Sequence, residues 1–151
     1  MPTYFQSNSE TVRALDAFIK LTRASESLMV RLNRRGTIKP LSPSQFAVLE
    51  ALYHLGPLSQ GQVSAKVLKS AGNITLVVDN LEKQGLVRRA RESQDRRTVT
   101  IHLTDDGRAQ VARIFPPHAA AICEELNVLT VEEQEQLARI CVKLGKGQAA
   151  A

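Results

Sequence analysis

The spacing of apolar positions divides the chain into helical stretches, interrupted once by a pair of strands. From Ser9 to Arg34, Val12, Leu15, Phe18, Ile19, Thr22, Leu28, Met29 and Leu32 form a stripe of helical period. At ~1.5 Å per residue this predicts a first helix about 40 Å long, too long to pack wholly against a small domain. Arg34, Arg35 and Gly36 end it. Pro43 opens a second helix with Phe46, Val48, Leu49 and Leu52 inward, stopped by Gly56 and Pro57. Ser59 to Val67 makes a short third helix. In a fourth, capped by Ser70 and ended at Gly85, Ile74, Val77, Val78 and Leu81 recur at i, i+3, i+4 and i+7. The period then changes. Residues 86–91 and 98–103 read as strands, the second with Val99, Ile101 and Leu103 alternating against Thr98, Thr100 and His102. Thr104 caps a fifth helix, which Pro116 and Pro117 should interrupt before it resumes over His118–Asn127. Thr130 to Leu144 is the last, with Leu137, Ile140, Cys141 and Leu144 on one face. Capping boxes at Ser7–Glu10, Ser42–Gln45, Ser59–Gln62 and Thr130–Glu133 mark four of the starts.

The order α-α-α-α-β-β-α-α predicts a mainly α fold with a small β-hairpin wing (α+β). It is a winged helix-turn-helix with long N- and C-terminal helices for dimerisation. One domain spans 1–151, with the winged lobe over 42–107 and helical arms over 8–35 and 108–145. Helices three and four, with the tight turn between them, make the helix-turn-helix. The economical use of the arms is to bury their stripes against a second copy, giving a homodimer.

The candidate chemistry concentrates between Ser70 and Gly107. Opposite its apolar stripe the fourth helix begins with small, uncharged residues. Gly72 cannot hold a groove at a distance, Asn73 and Thr75 can read base edges, and Leu76 can meet a thymine methyl. The hairpin that follows carries five Arg against two acids from Leu86 to Arg97. Arg suits phosphate through its planar fork, and suits a narrow minor groove through the negative potential concentrated there. Lys69, Ser70 and Arg89 are candidates to hold phosphates. A helix followed by a basic hairpin fits one part into each groove of double-stranded DNA. A net charge of +5 favours the same anionic partner, and 43% apolar content excludes a disordered chain.

Other classes find little support. His54, His102 and His118 lie on separate elements without metal-ligand spacing, so neither a metal site nor a cofactor is expected. No phosphate loop or nucleophile motif suggests an enzyme. The N-terminus lacks a basic patch before an apolar run, and no stretch reaches membrane-spanning length, which predicts a cytoplasmic protein without a membrane partner. Cys123 and Cys141 are too few for a disulfide framework. Two competing roles stay open: a winged module for protein–protein contact without DNA, and a thiol-based redox regulator using Cys123 or Cys141.

The run GNITLVVDNLEKQGLVRR, followed by DRR and then HLTDDGR, resembles the MarR family of bacterial winged-helix transcription regulators. The resemblance extends from about Arg13 to Leu144. It implies a ligand-responsive regulator, a repressor in the first instance, that binds an inverted-repeat operator as a homodimer. The Asp-x-Arg wing motif implies that Arg97 enters the minor groove, that Asp95 orients it or a neighbouring Arg, and that Arg96 touches the backbone. Small aromatic or phenolic effectors are implied by the family, whereas no residue here identifies a ligand-binding site. One branch of the family senses peroxides through a Cys near the start of the first helix; this chain has no Cys before position 123.

Overall fold

The computed structural model describes residues 3–67, 71–91 and 98–148. In chain order the elements are α1 (Ser9–Arg35), α2 (Pro43–Leu55), β1 (Leu58–Ser59), α3 (Gln60–Val67), α4 (Ala71–Lys83), β2 (Val87–Arg91), β3 (Val99–Leu103), α5 (Asp105–Leu126) and α6 (Val131–Lys146). They divide into two units, Gly36–His118 and the remainder on either side of it.

The Gly36–His118 unit is the winged lobe. Its core is Leu49, Leu52, Ile74, Leu81 and Ile101, all essentially inaccessible to water, joined by Val48, Val63, Val78, Val87 and Val111. Each large aliphatic side chain so buried contributes about 1.5–3 kcal/mol. The boxes expected at Ser42 and Ser59 are both formed. The Ser42 hydroxyl accepts from Gln45 N at 3.2 Å, and Ser59 Oγ accepts from Gln62 N at 3.2 Å. The sheet has one strand more than expected. Leu58 and Ser59 pair antiparallel with Ile101 and Thr100, giving the order β1-β3-β2. Two residues bounded by Pro57 and a capping box carry too little alternation to be read as a strand.

The turn from α4 into β2 is a Schellman motif. Gly85 takes φ +74°, Leu86 N donates to Leu81 O at 3.0 Å, and Gly85 N donates to Glu82 O at 3.0 Å. Leu86 and Leu81 are both buried, which supplies the apolar contact of that motif. Across the hairpin, Thr104 closes the same corner. Its N–H donates to Leu86 O at 3.1 Å and its hydroxyl donates to Gly85 O at 2.6 Å, while the hydroxyl oxygen accepts from Gly107 N at 3.0 Å. Gly107 is required there, because a Cβ on it would lie 2.0 Å from Leu86 O. The Leu-Thr-x-x-Gly pattern thus seats the first turn of α5 on the base of the wing.

Pro116 and Pro117 do not interrupt α5, which runs unbroken from Asp105 to Leu126. The two missing N–H donors are outweighed by packing on either side. Val111 and Ile114 are buried, Phe115 stacks edge-on against His54 at 5.3 Å, and His118 stacks against Phe46 at 5.0 Å. His118 Nδ1 also shares a 2.8 Å hydrogen bond with Thr37 Oγ1. The same contacts place residues up to His118 in this unit.

The second unit holds α1, the end of α5 and α6. Its first cap is Asn8, not Ser7: Asn8 Oδ1 accepts from Thr11 N at 2.8 Å, and the helix starts at Ser9. Asn satisfies the open N–H groups as well as Ser does. The box at Thr130 is formed, with Thr130 Oγ1 accepting from Glu133 N at 3.2 Å. Glu125 joins α5 to α1, accepting from Arg31 at 2.6 Å and from Arg35 Nη2 at 2.8 Å. Arg31 and then Arg35 hold its carboxyl below the usual range, and Glu124 with Glu125 raise the Arg35 guanidinium. Apolar burial is sparse. Leu32 is the one buried residue of α1, and α6 has none, while Phe18, Ile140, Val142 and Leu144 are exposed.

Candidate nucleic-acid interface

The site is built on α4. Its stripe Ile74, Val77, Val78 and Leu81 is buried in the lobe, which fixes the opposite face outward. Gly72, Asn73, Thr75 and Leu76 are exposed, as the periodicity requires. Leu76 is 61% exposed, a large apolar side chain held in water beside a glycine with open space around its Cα. Lys69 and Ser70, and the wing-tip residues Asp95, Arg96 and Arg97, lie outside the described residues.

Arg89 has partners within the lobe. In the β2–β3 ladder Arg89 pairs with Ile101, between Val87–Leu103 and Arg91–Val99. Directly opposed residues share a face of a sheet, and Ile101 is fully buried, so Arg89 leans toward the core side. There it meets two carboxylates of α4: Asp79 at 2.7 Å and Glu82 at 3.1 Å. Glu82 also accepts from Arg89 N at 2.9 Å. Its charge is therefore offset within the lobe, and these contacts link α4 to β2. Arg88, of opposite parity, is exposed and has no acidic partner among the described residues.

One further residue was missed from the sequence. Gln60, at the start of α3, donates through Nε2 to Thr75 Oγ1 at 2.5 Å, bridging the two helices of the helix-turn-helix. A contact across fifteen residues between helices of unknown crossing has no local signal. The pairing of Arg89 did have one: strand parity places it with Val87, on the buried side.

Other chemistry is sparse. Among the described residues no group of three or more His, Cys, Asp or Glu could hold a metal ion, and no helix is long and apolar enough to cross a membrane. Cys123 and Cys141 are both free and exposed.

A model of the MarR family matches residues 41–99, which cover the helix-turn-helix and β2 and end at the first residue of β3. Among curated proteins, the HTH-type transcriptional regulator MhqR of Bacillus subtilis is 38% identical over 89% of this chain and 93% of its own length. YkoM of the same organism, described as an uncharacterized HTH-type transcriptional regulator, is 34% identical over 92% of this chain and 90% of its own. Among solved structures, that of NadR in complex with 4-hydroxyphenylacetate superposes with a TM-score of 0.75 at 25% identity, covering 98% of this chain and 100% of that one.

Proposed function

The chain belongs to the MarR family of DNA-binding transcriptional regulators, and we propose that it is a homodimeric repressor released from its operator by a small aromatic or phenolic anion. Asn73, Thr75 and Leu76 read base edges in the major groove. Arg97 enters the minor groove, Asp95 orients it, and Lys69, Ser70 and Arg96 contact the backbone. The observation that carries this is the outward face of α4, where an exposed Leu76 sits beside side-chain-poor Gly72 on a helix whose other face is locked in the core. Dimerisation is supported by the large apolar side chains that α1 and α6 leave in water, among them Phe18, Ile140 and Leu144. The effector class is supported by the 4-hydroxyphenylacetate bound to NadR.

Two half-sites in successive major grooves require recognition helices about 34 Å apart. A ligand that prefers the dimer at another separation weakens DNA binding by its differential affinity, and DNA weakens the ligand in return. The protein acts in the cytoplasm. The test is an electrophoretic shift on duplexes selected from a random pool, repeated across salt and with 4-hydroxyphenylacetate and related phenolic acids added. Expected are sequence-selective binding, a steep salt slope from counterion release, and dissociation by at least one aromatic acid. Asn73→Ala relaxes base preference by about 1–3 kcal/mol at one position. Weak, sequence-blind binding would defeat the assignment of α4, and indifference to every aromatic acid would defeat that of the effector.

A further inference from the structure

We propose that Arg89 is a positioning residue that fixes the distance along DNA between the bases read by α4 and the flanking minor groove read by the wing. Its guanidinium meets Asp79 at 2.7 Å and Glu82 at 3.1 Å, and its Nη2 lies 3.5 Å from Thr75 O. Its backbone N–H donates to Glu82 Oε2 at 2.9 Å. Residues 75, 79 and 82 stand at i, i+4 and i+7, so the contacts of this one residue follow about 10 Å of one face of α4. The planar fork of Arg suits the task, because separate nitrogens can be held by separate carboxylates at once. The place of the link in the hairpin gives it leverage. Val87 is the one buried residue of β2, and Ile101, directly opposite Arg89, is the one of β3. The pairs beyond it, Ala90–Thr100 and Arg91–Val99, have no buried member. The hairpin therefore leaves the core at the Arg89–Ile101 pair. A change of angle there is carried forward to Arg97, read above as entering the minor groove. The side chains of Asp79 and Glu82 are 45% and 42% exposed, so their pairs with Arg89 add little to stability and can be removed without stranding a buried charge.

The inference rests on the proposal that α4 takes the major groove and the wing the adjacent minor groove. Selection and sequencing of bound duplexes, salt titration and thermal unfolding would be run on the full chain, on Arg89→Ala, and on a double variant, Asp79→Asn with Glu82→Gln. The double variant cuts the link from the helix side and keeps every Arg, so it carries the decision if Arg89→Ala fails to fold. The wild type should select an A·T-rich flank at one distance from its core half-site. Both variants should keep the core preference and an unfolding midpoint near that of the wild type, while spreading the flank over several distances. Their preference for the wild-type operator over random duplex should fall by about 3- to 10-fold, the coupling lost between linked contacts. A flank held at the wild-type distance in the double variant would overturn the inference while leaving the function of α4 intact. So would a salt slope lowered by about 1 in Arg89→Ala, which would make Arg89 a phosphate contact. A wild type that selects a core without a flank would overturn the reading of the wing, and one that selects no sequence would overturn that of α4; either would take this inference with it.

Discussion

Gly107→Ala tests the corner on which the wing is built. The added Cβ would sit 2.0 Å from Leu86 O and 3.0 Å from Leu103 Cδ2. The first contact is backbone, so no rotamer change relieves it. Restoring ordinary contact requires the start of α5 to retreat by roughly 1 Å or more. That movement stretches the Thr104 N–H bond to Leu86 O and the Thr104 hydroxyl bond to Gly85 O, now 3.1 and 2.6 Å. Two hydrogen bonds at about 1 kcal/mol each, with a further 1–3 kcal/mol of strain in the packing of Val111 and Ile114, are set against at most ~1 kcal/mol of helix propensity gained by alanine. The expected net loss is about 2–4 kcal/mol, a fall in unfolding midpoint of roughly 5–15 °C for a chain of this size. Thermal and urea unfolding measure it. Gly61→Ala is the control: α3 leaves open space there, and the same change should be neutral or stabilising by up to ~1 kcal/mol. A Gly107→Ala protein as stable as wild type would refute the close approach of α5 to Leu86.

Three further outcomes are expected. Arg97→Ala lowers the slope of log affinity against log salt by about 1, whereas Arg89→Ala weakens binding with the slope unchanged, because its charge is already paired; equal slope changes would return Arg89 to the phosphates. Glu125→Gln destabilises the protein at neutral pH, and the deficit disappears as pH falls below the ordinary glutamate range, about 4.3, and through the depressed folded value of Glu125. Chemical denaturation of both proteins from pH 7 to pH 2 follows this, and a deficit that persists in acid would show that the ion pairs with Arg31 and Arg35 are not its source. Replacing both Cys123 and Cys141 by Ser leaves DNA binding and its release by aromatic acids intact in mobility-shift titrations, whereas loss of every response would favour thiol switching.

The helices were legible because their signals are local. Capping boxes at Ser42, Ser59 and Thr130, and the stripe through Ile74 and Leu81, each lie within one or two turns of chain. What escaped was set by packing. Pro116 and Pro117 forbid two hydrogen bonds but not a helix, once Val111, Ile114, Phe115 and His118 are held on both sides of them. β1 is two residues that become a strand only because β3 offers an open edge. At the interface, the outward face of α4 followed from periodicity, but the partners of Arg89 and Thr75 followed from the crossing of elements that periodicity does not describe.

The closed corner at Leu86 and Thr104 has an evolutionary consequence. The hairpin is tied at its base by bonds from Thr104 to Gly85 and Leu86, and its register is carried by the pairs from Val87–Leu103 to Arg91–Val99. None of these bonds involves Gly72, Asn73 or Leu76, which lie exposed on α4. Those positions can therefore change while the scaffold beneath them keeps its stability. A lineage built on this scaffold can acquire new target sequences by altering a few exposed positions, with the hydrophobic interior insulated from that search.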